Sequence, residues 1–189
     1  MRPLQSDSVP ELSRIVLTEE EIQREIDRLG KDITRDYGNK DPVVVGVLKG
    51  AFVFTCDLIR RIETLVTLDF LSLRSFSLQH RDARRVEITR DLEESIEGRE
   101  VLIIEDLVDT GLSLNYLCHM LGKRQPASVV VCSLLDRPQL RLVDLPLRYR
   151  GFEVDDQFLV GYGLDFQGRF LNLPYIAALK ERPEAFRVA

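Results

Sequence analysis

The segment from Val101 to Leu114 constrains this chain more than any other. It reads Val101-Leu102-Ile103-Ile104, then Glu105-Asp106, two apolar residues, Asp109-Thr110-Gly111, and finally Leu112-Ser113-Leu114. Its opening run is apolar throughout, as a strand covered on both faces of a parallel sheet should be. Such a strand delivers Glu105, Asp106 and the turn beyond them to the carboxyl edge of the sheet, where α/β proteins bind ligands. Thr110, Gly111 and Ser113 lie at the entry to a helix predicted over Ser113 to Lys123. Small hydroxyl residues and a glycine at a helix N-terminus suit a phosphate, because the amides point outward and the macrodipole favours an anion. Glu105 and Asp106 repel a phosphate, so they must serve another part of the ligand. Sugar hydroxyls, or hydroxyls shared with Mg²⁺, meet that need, since carboxylates accept from both. A phosphate at one end and a diol at the other describe a ribose 5-phosphate. No Gly-Lys-Ser/Thr is present, which excludes a Walker loop.

The rest of the chain supplies a frame for that segment. Thr18 to Glu21 reads as a capping box opening a helix whose apolar face is Ile22, Ile26, Leu29 and Ile33, with Gly30 its weak point. Val43 to Leu48 is a second apolar strand, broken by Lys49-Gly50, and helical spacing returns over Ala51 to Arg61. Val66 to Leu73 and Ala127 to Leu135 are further strands; Arg74 to Arg85 reads as a loop and Val86 to Thr89 as a short strand closing it. Strand and helix alternate at βαβ spacing, so the expected architecture is α/β, a central parallel sheet flanked by helices. After Pro138 the pattern changes to short extended pieces, Leu147 to Phe152 and Phe158 to Tyr162, which read as a small lobe. The expected organisation is one domain over 1–189, with a core of about 18–137 and a hood formed mainly by 138–175 plus the N-terminal segment.

Composition narrows the function. The 189 residues suit one domain, and a net charge of −5 without a basic stripe argues against nucleic acid as a partner. Cys56, Cys118 and Cys132 form no CxxC pair, and two histidines are too few for a typical zinc site. The three cysteines read as buried small hydrophobes in a reducing compartment. Residues 1–10 lack the apolar core of a signal peptide, and no apolar run reaches membrane-spanning length. The expected location is the cytoplasm, with no membrane partner.

The Val101–Leu114 string resembles the phosphoribosyl pyrophosphate motif of the type I phosphoribosyltransferases. From about Ile15 to Ile176 the chain resembles the hypoxanthine-guanine branch of that family. Leu48-Lys49-Gly50-Ala51 is similar to the family's pyrophosphate loop, and Leu68-Asp69-Phe70 leads into what resembles its flexible catalytic loop. Phe158 to Asp165 is similar to its purine-binding segment, and Asn172-Leu173-Pro174-Tyr175 to its usual ending. The resemblance implies purine salvage: a 6-oxopurine and phosphoribosyl pyrophosphate yield IMP, and GMP where guanine is accepted, with release of pyrophosphate. It implies Mg²⁺ as cofactor and a homodimer or homotetramer.

Residue by residue, the resemblance makes Asp109 the catalytic acid/base at the purine N7, with capping of the next helix as its ordinary alternative. Thr110, Gly111, Leu112 and Ser113 would hold the 5-phosphate. Glu105 and Asp106 would bind the ribose hydroxyls directly or through Mg²⁺. Lys49 and Gly50, at a turn where the family has a cis non-proline bond, would hold the pyrophosphate together with Ser75. Phe158 would stack on the purine, while Leu159, Asp165 and Arg137 would approach its edge; Asp165 would also meet Mg²⁺ through water. Arg74 to Arg85 would form a lid.

Three positions depart from the family. Arg137 stands where a lysine usually donates to the purine 6-oxo group, a change that is not conservative. Phe76 replaces a tyrosine beside Ser75, and Leu171 replaces an arginine, with Arg169 two residues away. These departures keep two alternatives in view: a weak or inactive nucleotide-binding regulator on the same fold, and a xanthine-preferring transferase.

Overall fold

The computed structural model describes residues 12–77 and 84–180. Strand β1 (Leu12–Leu17) leads into helix α1 (Glu19–Tyr37), followed by β2 (Val43–Leu48) and α2 (Phe52–Ile59). Next come β3 (Thr67–Ser77), β4 (Arg84–Arg90), β5 (Glu100–Val108), α3 (Leu112–Gly122) and β6 (Ser128–Asp136). A 3-10 turn at Pro138–Leu140 precedes β7 (Leu147–Glu153), β8 (Leu159–Val160) and β9 (Ile176–Leu179).

The strands form two sheets. The larger has the order β4-β3-β2-β5-β6-β7. Its members β3, β2, β5, β6 and β7 run parallel, and β4 returns antiparallel along the β3 edge. The expected parallel α/β sheet is therefore present, with one antiparallel edge. The smaller sheet, β1-β9-β8, is antiparallel and joins the N-terminal segment to the C-terminal one.

Alternation along β2 and β5 explains how one sheet buries two faces. Val44, Leu102 and Ile104 join a cluster with Ile22, Ile26, Leu29 and Ile33 of α1 and with Phe54 and Leu58 of α2. Val43, Val45, Val47, Val101 and Ile103 point the other way and pack with Leu114, Leu117 and Leu121 of α3. Each fully buried aliphatic side chain contributes roughly 1.5–3 kcal/mol. The capping box at Thr18 is formed: its hydroxyl accepts from the Glu21 amide, and the Glu21 carboxylate accepts from the Thr18 amide. Gly30 is a contact rather than a weak point, since a Cβ there would lie 2.5 Å from Arg61 Cβ and 2.7 Å from its carbonyl. The glycine lets α1 press on the chain leaving α2.

Three expectations change. Leu147 to Phe152, read with the C-terminal lobe, lies in β7, the sixth strand of the main sheet, which pairs with β6. The hood expected over 138–175 therefore excludes this stretch, and its small sheet reaches Leu179 through β9. Arg74–Ser77 and Arg84–Arg85, read as loop, extend β3 and β4. The tip expected for that loop, 78–83, lies outside the described residues. Of the three cysteines, only Cys132 is fully buried; Cys118 is half-buried and Cys56 exposed.

Candidate active site

The site gathers at the carboxyl edge of the main sheet, where β2 and β5 end side by side. Strand β5 is buried from Val101 to Ile104, then brings Glu105 and Asp106 to the edge. Two carboxyls in a desolvated setting cannot both ionise freely. Burial pushes Glu105 well above the ordinary carboxylate range, and repulsion from Asp106 adds to it. Burial likewise pushes Asp106 up to about 6, with the charge of Asp109 adding and the Leu107 amide, 2.8 Å from Oδ1, pulling the other way. Both acids therefore keep their protons to higher pH than a solvated carboxyl does.

Beyond Val108 the chain turns through Asp109 and Thr110 to Gly111, whose φ of 80° is left-handed and suits glycine. Gly111 is the N-cap of α3 and offers no side chain to that helix, while the Thr110 hydroxyl lies 3.5 Å from the Leu112 amide and accepts from it. Asp109 is thus not the cap that its position allowed. A helix start with a glycine cap beside a hydroxyl-rich turn has the chemistry that suits an anion. The turn is braced from below: Leu142 N–H donates to the Thr110 carbonyl at 3.0 Å, and Arg141 Nε donates to the Asp109 carbonyl at 3.3 Å. Arg141 also pairs with buried Asp136. Sequence reasoning missed Arg141, since only the fold brings it beneath Gly111.

Asp109 projects its half-exposed carboxylate from this turn, and Arg137 Nη1 reaches its Oδ1 at 2.6 Å. Arg137 Nε donates to the Asp155 carbonyl at 3.1 Å, and Nη2 donates to the Gln157 carbonyl. The residue read as a purine donor is therefore anchored between the Asp109 turn and the segment that precedes Phe158.

The β2 edge contributes Lys49, which is exposed, and Gly50. The Leu48–Lys49 peptide is cis, as the resemblance implied. A Cβ on Gly50 would fall 1.7 Å from Asp106 Oδ2, so the acid lies directly against this glycine's backbone. On its other side the Gly50 carbonyl meets Gly163, where a Cβ would lie 2.3 Å from that oxygen and φ is 95°. Asp106, Gly50 and Gly163 thus form one close-packed stack linking three segments. Tyr162 fastens the same contact by donating its hydroxyl to Asp57 of α2 at 2.5 Å. The Gly161-Tyr162-Gly163 sequence was the available signal for this contact.

The remaining candidates are dispersed around this centre. Phe158 meets Phe166 edge to face at 5.7 Å between ring centres. Leu159 is buried in the core on β8. Asp165 accepts from the Gly168 amide at 2.7 Å within its own turn. Ser75 has its backbone on β3, opposite Val86. Arg169 sets its guanidinium 5.1 Å above the Phe170 ring, while the Leu171 carbonyl accepts from the Gly163 amide at 3.1 Å. Among the described residues, no three acidic, histidine or cysteine side chains converge as a ready metal cage.

A family model described as the phosphoribosyl transferase domain matches residues 15–167. Over 170 residues the chain is 42% identical to the hypoxanthine-guanine phosphoribosyltransferase of Bacillus subtilis (strain 168), covering 90% of this chain and 94% of that one. It is also 42% identical over 176 residues to the enzyme of that name from Staphylococcus aureus (strain Mu50), covering 93% and 97%. A crystal structure of a hypoxanthine phosphoribosyltransferase from Staphylococcus aureus superposes with a TM-score of 0.88 at 39% identity, covering 98% of this chain and 100% of that one.

Proposed function

The chain belongs to the phosphoribosyltransferase family, and we propose that it is a purine salvage enzyme of the hypoxanthine-guanine type. It transfers ribose 5-phosphate from phosphoribosyl pyrophosphate to N9 of a 6-oxopurine, releasing pyrophosphate. The observation that carries this reading is the stack at the sheet edge. The glycine-capped start of α3, the paired acids of β5 and the Lys49–Gly50 turn lie together, the last two pressed into contact by a glycine backbone.

In this reading Thr110, Gly111, Leu112 and Ser113 receive the 5-phosphate at the helix start. Glu105 and Asp106 accept from the ribose hydroxyls. Lys49 and the Gly50 backbone hold the leaving pyrophosphate, with Ser75 at the entrance. Asp109 takes the N7 proton as the N9–carbon bond forms. Phe158 stacks on the base, with Leu159, Asp165 and Arg137 on its perimeter. Little covalent work falls to the protein, which aligns the reactants, excludes water and supports positive charge growing on the sugar.

Mg²⁺ fits the donor set. Glu105 and Asp106 are adjacent acids whose proton affinity is raised first by burial, then in Glu105 by the charge of Asp106 and in Asp106 by that of Asp109, a tension that a dication would relieve. Glu105 and Asp106 would hold such an ion with few protein ligands, which suits Mg²⁺ because it dehydrates reluctantly. When bound, it neutralises charge on the departing pyrophosphate; Asp165 would reach it through water. The reading also assigns the protein to the cytoplasm, where its charged substrates are retained, and carries over the family's homodimer or homotetramer.

The test is nucleotide formation from phosphoribosyl pyrophosphate with hypoxanthine, guanine, xanthine or adenine, followed by absorbance with Mg²⁺ and again with a chelator. Turnover of a 6-oxopurine that stops on chelation is expected. Failure with all four bases would overturn the reading.

A further inference from the structure

We propose that Arg137 is a positioning residue that acts through Asp109, holding the proton-accepting carboxylate and the purine segment in one rigid frame. This inference rests on the transferase reading above and deepens it. In that reading Arg137 borders the base; the structure shows what each nitrogen of its guanidinium already holds.

A guanidinium carries five N–H groups in one plane, on three nitrogens. All three nitrogens of Arg137 have partners: Nε on the Asp155 carbonyl at 3.1 Å, Nη1 on Asp109 Oδ1 at 2.6 Å, and Nη2 on the Gln157 carbonyl. Its own amide donates to the Val108 carbonyl at 2.9 Å, so its main chain is tied to the end of β5 as well. The side chain is 5% exposed and that of Asp109 is 49% exposed. A buried cation of this kind needs its partners, and among the described residues the carboxylate it pairs with is the one in the catalytic position. Turning the guanidinium out of its present plane would cost at least one of these bonds.

The frame also has a geometric consequence. Gln157 immediately precedes Phe158, the residue assigned to the face of the base. One planar group therefore sets the separation between the proton acceptor and the platform on which the base rests. Proton transfer concerted with N9 attack requires that separation to be held closely. A lysine would present its three N–H groups from one atom and could not span acceptors along both flanks of a plane. Arginine at this position is thus matched to the frame and is not a drifted copy of a purine-contacting lysine.

The experiment is a double-mutant cycle between Asp109→Asn and Arg137→Lys, read as kcat and KM for hypoxanthine, with purine lacking the 6-oxo group as second substrate. Arg137→Lys is expected to lower kcat by about 10- to 100-fold while KM for hypoxanthine moves less than about threefold. The loss should be the same for both bases, because it does not pass through the 6-oxo group. In the Asp109→Asn background it should shrink to less than about threefold, since the residue it acts through is already disabled. Unchanged kcat in Arg137→Lys, a rise in KM confined to hypoxanthine, or full additivity with Asp109→Asn would each overturn the proposal. A second measurement needs no Arg137 variant to fold. In ¹⁵N-arginine spectra of the parent protein the restrained fork should give separate Nη signals for Arg137, lost in Asp109→Asn. A single averaged signal in the parent would also overturn it. Absence of turnover in the parent would refute the transferase reading instead, and the spectra would still report on the fork.

Discussion

Replacing Gly50 by alanine tests how tightly the stack at the sheet edge is set. An ideal Cβ there falls 1.7 Å from Asp106 Oδ2 and 2.5 Å from Asp106 Cγ, whereas ordinary contact begins at 3.4 Å. The carboxylate must therefore withdraw by roughly 1.7 Å, or the loop must rise by as much. Neither path is free. The Leu107 amide holds Asp106 Oδ1 at 2.8 Å, and the Gly50 carbonyl already abuts Gly163. Misplacement by about 1 Å in an aligned site costs on the order of 10²-fold, so kcat/KM should fall by at least that factor. That loss corresponds to about 2.7 kcal/mol of transition-state stabilisation. Overpacking should also remove about 1–3 kcal/mol of stability, leaving a folded protein at assay temperature. Initial rates with hypoxanthine and phosphoribosyl pyrophosphate, alongside a thermal melt, measure both effects. Gly122→Ala is the control, because a Cβ there meets nothing within 4 Å. It should keep parental activity and gain about 0.5 kcal/mol in the helix. A Gly50→Ala enzyme within about threefold of parental kcat/KM would refute the tight stack.

Two more outcomes are expected, one from the core and one from the site. Ile26 is fully buried between α1 and the sheet, so Ile26→Ala should destabilise by about 2–5 kcal/mol, read as a lower urea midpoint with an unchanged slope. Asp106 carries a folded pKa of about 6, above its ordinary 3.8. As pH rises between those values, the unfolded chain releases its proton first, so the folded state loses stability across that window and bears the full penalty above it. Asp106→Asn should therefore raise the Tm of the metal-free protein near neutral pH, with the gain vanishing below about pH 4 while activity is lost. Equal melting shifts at both pH values would contradict the assignment.

The parts of the fold that were legible in the sequence are those where one local pattern suffices. The apolar runs of β2 and β5, the capping box of α1 and the acid-acid, Asp-Thr-Gly string each state their role within a dozen residues. Strand β7 was legible as an extended piece, with Arg148 and Arg150 on the exposed side of its alternation. Its sheet was not, because nothing local says that it pairs with β6 and not within the lobe. The fold sends the two arginines to Asp36 and Asp136. The ends of β3 and β4 were hidden for a similar reason, since charge-rich sequence reads as loop until its antiparallel partner is known. Within the site, the residue types could be read but not their engagements. Nothing local says that Arg137 grips Asp109 and two carbonyls, or that Gly50 and Gly163 sit against each other. Those contacts join segments far apart in the chain, where sequence pattern carries no distance.

The most direct test of the central claim compares the parent enzyme with Asp109→Asn under saturating hypoxanthine and phosphoribosyl pyrophosphate with Mg²⁺. Calorimetry of phosphoribosyl pyrophosphate binding is measured on both. If the β5–α3 turn supplies the proton acceptor, kcat should fall by about 10²–10⁴-fold. Affinity for phosphoribosyl pyrophosphate should change by less than about threefold, because the phosphate cradle is intact. A variant that turns over at close to the parental rate would contradict the account and move the chemistry elsewhere in the fold.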